Sequence, residues 1–429
     1  MAKARDIEAL VVGAGPVGML AALALAERGV GVEIVDEEWR ATSRSYALAL
    51  HGSTLEHLDQ MESGDGLADQ LLGRGHRVDR IAFYEGSKQR ASVDLAALGG
   101  NHPFVLVLPQ KELEDLLEER LERHGVRVRW NHRLAELTVG EGGERSHAVV
   151  EHLGKESTGY SVATTVWVVE KTLELAPRCV IGADGHRSRV RHALGVDFLE
   201  LGAPELYAVF ELGSSAGPAD EVRVVLGDSD GGRGRADVLW PLGPDRRRWS
   251  FQVQPAALER EDRKRPDKSR LAVQVGRQSY PYLSRDSLEA LLAERAPWFE
   301  GPVGDLAWSV AVQFERRLAA ELGRDGVWLA GDAAHLGPPI GVHSMNAGLA
   351  EALELAQAIA TGAIDSLEPY GHAVRAAWRQ LIDLSDGKGV EATPNSDPWV
   401  AQHAGPILAS LPAAGDGRKK LAEQLGLRV

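Results

Sequence analysis

One cysteine, Cys179, stands among 429 residues, so no disulfide can close within the chain. Set in the run Cys179-Val180-Ile181, it reads as a buried small apolar residue rather than a reactive thiol. No apolar run is long enough for a membrane span or a secretory leader. The apolar N-terminal stretch is broken by Gly13, Gly15, Pro16 and Gly18. A cytoplasmic location is the resulting expectation. Positive charge is in deficit, with 48 Lys and Arg against 62 Asp and Glu and a formal charge of −14, which repels polyanions and excludes nucleic acid as a partner. No internal repeat is present. What remains is a globular balance, 44% hydrophobic and 26% charged, long enough for two domains or one large domain with an insert.

Patterning divides the chain. Ala9 to Val12 is a short apolar run expected to be a buried parallel strand. A helix is expected from Pro16 to Arg28, with proline first and Gly29 just past its end, and a second strand over Val32 to Val35. Val78 to Leu95 reads as a hairpin, and Lys111 to His124 carries leucines at helical spacing. Short β-prone runs from Ala148 to Leu175 suggest a meander, and Cys179 to Ala183 a further buried strand. The middle, about Phe198 to Val312, is expected to be a separate antiparallel sheet. Its clearest hairpin joins Val238–Pro241 to Trp249–Val253 through Gly243-Pro244-Asp245. The polar run Glu259 to Arg270 is expected to be an exposed loop. The chain then returns to a buried strand, Val327 to Ala330, followed by a long helix from about Asn346 and another around His372 to Leu384.

Three motifs carry chemistry. The first is Gly13-x-Gly15-x-x-Gly18 between strand and helix, with Pro16 at the helix start and Asp36 closing the next strand. Glycines permit a tight turn and close approach of backbone to a pyrophosphate, whose charge sits at the positive end of the helix. Asp36 is placed to accept from a ribose hydroxyl. This motif alone does not separate NAD from FAD. The second is Gly182-Ala183-Asp184-Gly185, continuing into Ser188, Val190-Arg191 and Leu194-Gly195, longer than a turn requires. The third is Gly331-Asp332-Ala333-Ala334-His335, then Pro338-Pro339, Gly341 and Asn346, with a strand running in and a helix running out. Asp332 can accept from a flavin ribityl chain. Amides after Gly341, at a helix start, can face the pyrimidine edge of an isoalloxazine and stabilise negative charge there.

In this order and spacing the three motifs resemble the class A FAD-dependent aromatic monooxygenases, the para-hydroxybenzoate hydroxylase type, over roughly Ile7 to Ala360. Arg44, with Thr54 to Leu58 beyond it, resembles the family's arginine near the flavin; Leu108-Pro109-Gln110 resembles its flavin-contacting glutamine segment. Read alone, Arg44 is a surface arginine and Gln110 a helix N-terminal residue. The resemblance implies an α/β fold with a Rossmann-like FAD-binding domain of the GR2 type, an inserted antiparallel β-sheet substrate domain and a C-terminal helical segment. The implied FAD-binding domain is discontinuous (1–74, 101–197 and 318–365), the substrate sheet covers 75–100 and 198–317, and 366–429 form a helical cap. The thioredoxin-like domain that ends larger relatives has no room. The sequence departs from the family at Val342 and Ser344, where more glycine is usual. Both residues disfavour positive φ, so the loop is expected to differ locally or to move less.

The resemblance further implies FAD as cofactor, NADPH or NADH as transient reductant, and O₂ with a small aromatic substrate. A flavin C4a-hydroperoxide would pass its distal oxygen to an electron-rich carbon. One Rossmann fingerprint and one cysteine argue against flavoproteins with two dinucleotide domains and against disulfide reductases. Candidate pocket residues are His51, Tyr207, Trp240, Phe251 and Pro339. His51 and His343 are weak candidates for a catalytic role, and His335 reads as structural. A monomer or homodimer is expected. An epoxidase or oxidase on the same fold, a non-catalytic FAD-binding partner protein, and a nicotinamide-only dehydrogenase stay open. The last leaves Asp184 and Asp332 without a role.

Overall fold

The structure, a computed structural model, describes residues 4–39, 49–61, 66–158, 164–227, 234–254, 273–275, 278–280, 283–301, 303–363 and 367–429. Its first sheet is built on Arg5–Val12, whose apolar half is fully buried because parallel neighbours lie on both sides. Val32–Val35 flanks it on one side and the end of Thr164–Gly182 on the other; Val327–Leu329 and Val128–Arg129 extend the parallel set outward. The carboxyl ends of neighbouring strands therefore emerge together, which is where open α/β sheets place ligands.

Close packing fixes the first turn. Pro16–Glu27 is helical, with proline in its first turn and Gly29 at φ +74 beyond its end. Gly13 sits at φ +101, and a Cβ there would overlap the Ala183 carbonyl. A Cβ on Gly18 would overlap the Gly13 carbonyl oxygen, so helix and strand approach only because that side chain is missing. Gly15, by contrast, faces open space.

The strand Thr164–Gly182 is one 19-residue element, where patterning suggested a meander strand and a separate buried strand. Its first part pairs antiparallel with His147–Thr158, which pairs with His132–Thr138; its last part, from Leu175, switches to parallel pairing with Arg5–Val12. Burial changes along it because only the last part lies under helices, which is why the pattern breaks near Leu175.

The second sheet has eight strands. In order they are His335–Leu336, Leu306–Ala319, Phe198–Gly213, Arg246–Val253, Arg235–Pro241, Glu221–Gly227, Arg80–Glu85 and Lys88–Asp94. It is not wholly antiparallel, a correction to the expectation, since Arg80–Glu85 runs parallel to Glu221–Gly227. That early hairpin docks on an edge built later in the chain, and strand periodicity carries no information about direction. On one face Tyr207, Val209 and Trp240 pack with Ile340 and Val342 and with Ile407, Leu408, Leu411 and Leu421 near the C-terminus. On the other, Phe210, Trp249 and Phe251 pack against Leu288 and Leu292 of the helix Arg285–Arg295.

After His343–Ala360 the chain forms helices Glu368–Ser385, Pro398–Gln402, Ala404–Ser410 and Gly415–Glu423, with a two-residue strand pair, Glu391–Ala392 and Leu427–Arg428, tying the end down. The polar run Glu259 to Arg270 lies outside the described residues. Among the described residues no helix is long and apolar enough to cross a membrane.

The glycines of the first turn give a direct test. Gly18→Ala should destabilise the cofactor-free protein by about 2 kcal/mol or more, the cost of overpacking against backbone. Gly15→Ala should change it by no more than about 0.5 kcal/mol. Urea unfolding of both variants reads the contrast, and equal losses would show that this packing is misread.

Candidate functional site

The three motifs follow the carboxyl ends of adjacent parallel strands, and the structure gathers them round one cleft of about 610 Å³. Its walls include Gly15, Pro16, Gln110, Asp332, Pro339 and His343 of the expected set, with Ala183 and Gly185 on either side of Asp184. Val312 to Glu315, from the second sheet, close the far side. The open space over Gly15, at a helix start with free amides, is the cradle a pyrophosphate needs. The site fits a dinucleotide on that ground.

Asp36 holds the glycine turn from the side. Its carboxylate accepts from the Ala14 amide (2.6 Å) and the Glu38 amide (2.8 Å). Desolvation raises its pKa, against the pull of those two amides. Each oxygen keeps a lone pair for a ribose hydroxyl. Asp184 turns inward instead, accepting from Ser188 Oγ (2.6 Å) and the amides of Arg189 and Val190. Its carboxylate organises the loop into the helix Arg189–Ala193.

The long second motif has a purpose that only the structure displays. Arg191 is buried, lies over the Phe198 ring and donates to the Ala333 carbonyl (2.8 Å) and the His186 carbonyl (2.7 Å). It thus bolts the second motif to the third. The third motif is held from behind by Glu351, whose carboxylate accepts from the Gly331 amide (2.9 Å) and pairs with His335 Nε2 (2.6 Å). Burial alone would lower the His335 pKa, but the charges of Glu351 and Asp332 outweigh it and raise the pKa. Asp332 itself is open to the cleft, yet deep enough that desolvation raises its carboxyl. Patterning missed Glu351; its one signal is an acid inside the otherwise apolar face of a helix.

Gln110 begins the helix Gln110–Arg123 and its amide donates to Glu114 Oε1 (2.6 Å). Glu114 is 2% exposed, and desolvation pushes its carboxyl up to about 7 against the opposing hydrogen bond from Gln110. Arg44 lies outside the described residues.

The Asn346 side chain turns inward. It accepts from the His51 amide and Thr54 Oγ1 (both 2.8 Å) and donates to the carbonyls of Ala49 (3.0 Å) and Val342 (2.8 Å). With all four bonds internal, it staples the start of the long helix to the chain round Leu50 and has none left for a ligand. Gly341 lies behind the loop, where a Cβ would crowd His343 and the Ala409 carbonyl.

The pocket candidates scatter. His51 is buried off the cleft with Nε2 bonded to the Gly341 carbonyl (2.8 Å), and desolvation brings its pKa down to about 4. It is neutral and sealed, so it is neither pocket wall nor base. His343 borders the cleft, but its Nε2 bonds the Ala409 carbonyl (3.1 Å) and desolvation holds its pKa well below the usual value. Tyr207 and Trp240 reach only a side cavity of about 20 Å³, which shares Phe314 and Pro339 with the main cleft. Phe251 is on the opposite face of the sheet, stacked on Trp249, which corrects its placement.

Val342 adopts φ +51 and ψ +39 immediately before the helix His343–Ala360. The expectation that valine would keep the loop out of this region is overturned at that residue. Its surroundings force the strain: Asn346 binds its carbonyl, its amide reaches the Pro339 carbonyl, and its side chain is buried against the C-terminal segment.

Residues 6–385 match the family described as "FAD binding domain". Over 368 residues the chain is 26% identical to pentachlorophenol 4-monooxygenase of Sphingobium chlorophenolicum, covering 83% of this chain and 58% of that one. It is 29% identical over 363 residues to 6-methylpretetramide 4-monooxygenase of Streptomyces rimosus, covering 82% and 55%. The chain thus spans little more than half the length of these curated relatives. Among solved structures, p-nitrophenol 4-monooxygenase from Pseudomonas putida DLL-E4 superposes with a TM-score of 0.68 at 22% identity, covering 99% of this chain and 100% of that one. A ternary complex of aklavinone-11 hydroxylase with FAD and aklavinone gives 0.68 at 20%, covering 95% and 71%. At these identities the two structures establish a shared fold.

Two outcomes follow from the site. Val342→Gly should be more stable than Val342→Ala by about 1 kcal/mol although it removes more atoms, because only alanine keeps the left-handed strain; chemical denaturation of both decides it. Glu114 has a folded-state pKa above its unfolded one, so its contribution is full below about pH 4.5 and is lost as pH rises through about 7. Relative to Glu114→Gln, wild type should therefore lose on the order of 3 kcal/mol across that window. A constant difference between the two stability-pH curves would refute the assignment.

Proposed function

The chain belongs to the FAD-binding family of the class A flavoprotein hydroxylases, and from that premise we propose that it is a monooxygenase that uses NAD(P)H and O₂ to hydroxylate an electron-rich aromatic small molecule. The observation that carries the reading is convergence: the glycine turn, the Asp332 loop and the Val312–Glu315 wall of the second sheet all border one cleft.

Bound FAD would supply the redox chemistry, accepting hydride from the nicotinamide and activating O₂. The chain's own residues bind, orient and exclude water. The helix start at Gly15 and Pro16 takes the pyrophosphate, and Asp36 takes the adenosine ribose. Asp332, open to the cleft, takes the ribityl chain. The amides of His343, Ser344 and Met345, at the start of an 18-residue helix, give the pyrimidine edge a positive environment. Phe314 and Pro339, shared by the cleft and its side cavity, are the substrate wall. Apolar atoms there keep water from the reacting centre and hold the ring in line. His51 and His343 are given no proton-transfer role: His51 is buried off the cleft, and burial holds both rings well below the usual histidine range.

The relatives that act on pentachlorophenol and p-nitrophenol by name support a phenolic substrate, while 6-methylpretetramide and aklavinone appear in the names of others. Purified protein should be yellow, and anaerobic NADH or NADPH should bleach it faster when a substituted phenol is present. With ¹⁸O₂ the product should carry one labelled oxygen. A protein unable to take up FAD would end the reading. Turnover with no label in the product would make it an oxidase.

A further inference from the structure

The C-terminal helices carry one buried charge that this reaction leaves unused. Arg418, on the helix Gly415–Glu423, is 6% exposed. Its Nε donates to the Ala413 carbonyl (3.0 Å), and among the described residues no carboxylate pairs with the guanidinium. An ion held away from water without a counter-ion costs several kcal/mol, so its setting calls for an account.

That setting is the back of the cleft loop. Ala413 packs in the same apolar cluster as Ile340 and Val342, together with Leu408, Leu411 and Leu421. Four residues before Ala413, the Ala409 carbonyl receives His343 and abuts Gly341. His51 and His343 meet edge to face at 5.5 Å. After desolvation, the Arg418 charge lowers the pKa of both rings, so the guanidinium lies within electrostatic reach of each. Burial brings Arg418 itself down only to about 10, so it stays charged at neutral pH while both imidazoles are neutral. The charge is thus anchored through Ala413 to the segment whose Ala409 carbonyl holds His343, the first residue of the helix whose amides border the cleft.

We propose that Arg418 is an electrostatic positioning residue, whose charge adds to the positive end of the helix His343–Ala360 and favours the anionic, two-electron-reduced state of the bound isoalloxazine. The inference rests on the FAD-binding reading above. Hydride transfer from NAD(P)H releases NAD(P)⁺ and leaves one negative charge on a ring that was neutral. A fixed cation on that side stabilises the reduced form over the oxidised one and raises the flavin's reduction potential. Arg418 touches neither substrate nor ring; it acts across the two neutral histidines.

The test is sulfite, which adds to an oxidised flavin and leaves an anionic ring, together with the reduction potential. Arg418→Met replaces an unpaired buried ion by an apolar chain of similar length, so the fold should hold. In the FAD-loaded protein, Arg418→Met should bind sulfite on the order of tenfold more weakly, about 1.4 kcal/mol, and should have a lower reduction potential. Arg418→Lys should lie within about threefold of wild type. Should Arg418→Met not fold, Arg418→Gln, which keeps a donor for the Ala413 carbonyl and removes the charge, is measured in its place. A charge-free variant that holds FAD and binds sulfite as wild type does overturns the proposal, as does loss of melting temperature with unchanged sulfite affinity. A wild-type chain that stays colourless in excess FAD defeats the cofactor reading instead, so the two failures are distinct.

Discussion

The site depends on a buried carboxylate facing away from it. Glu351 accepts from the Gly331 amide and the His335 ring, and so fixes the corner where the strand Val327–Leu329 becomes the Asp332 loop. A carboxylate sealed in a core is tolerated only when its oxygens are fully paired, and removing a partner strands a charge. The corner therefore has one low-energy shape. Arg191 extends the constraint sideways by binding the Ala333 carbonyl, so the loops after two neighbouring strands move as one body. Asp36 does the same for the glycine turn through the Ala14 amide. Three loops that chain connectivity leaves independent are made rigid by three ionisable side chains, each bonded to a neighbouring backbone.

This division explains what could be read from sequence. The glycine turn was legible because its constraints are local: Gly13 and Gly18 are required by contacts within a few residues or with the adjacent strand. The place of Asp332 at the cleft was legible too, from the strand that runs into its motif and the helix that runs out. The roles of Asp184 and Asn346 were not, although their places in the motifs were. Each is a short polar side chain that can face a ligand or its own backbone, and for Asn346 the choice depends on neighbours far along the chain. Asn346 bonds to residues nearly three hundred positions away. Arg191 and Glu351 went unread because long charged residues on helices are usually solvated, and nothing nearby says otherwise.

The misplacement of Phe251 was avoidable. The hairpin register sets Trp240 opposite Arg248, and Phe251 is three residues beyond Arg248. Side chains alternate along a strand, so an odd separation puts Phe251 on the face opposite Trp240. The turn at Gly243-Pro244-Asp245 already fixed that register. The parallel seating of Arg80–Glu85 beside Glu221–Gly227 had no such signal, since a strand's pattern reads the same in either direction.

Val342 shows how the C-terminal segment changes the chemistry of the loop without entering the cleft. A family position that favours glycine carries valine, and left-handed valine costs roughly 1–2 kcal/mol. The valine side chain is buried in the apolar cluster that also holds Ile407, Leu408 and Leu411, and that burial offsets part of the cost. Glycine would leave the loop free to move; valine trades that freedom for contact with the C-terminal helices. Both His51 and His343 are buried here, and desolvation keeps them neutral. A loop anchored this way presents its amides to the cleft in one arrangement.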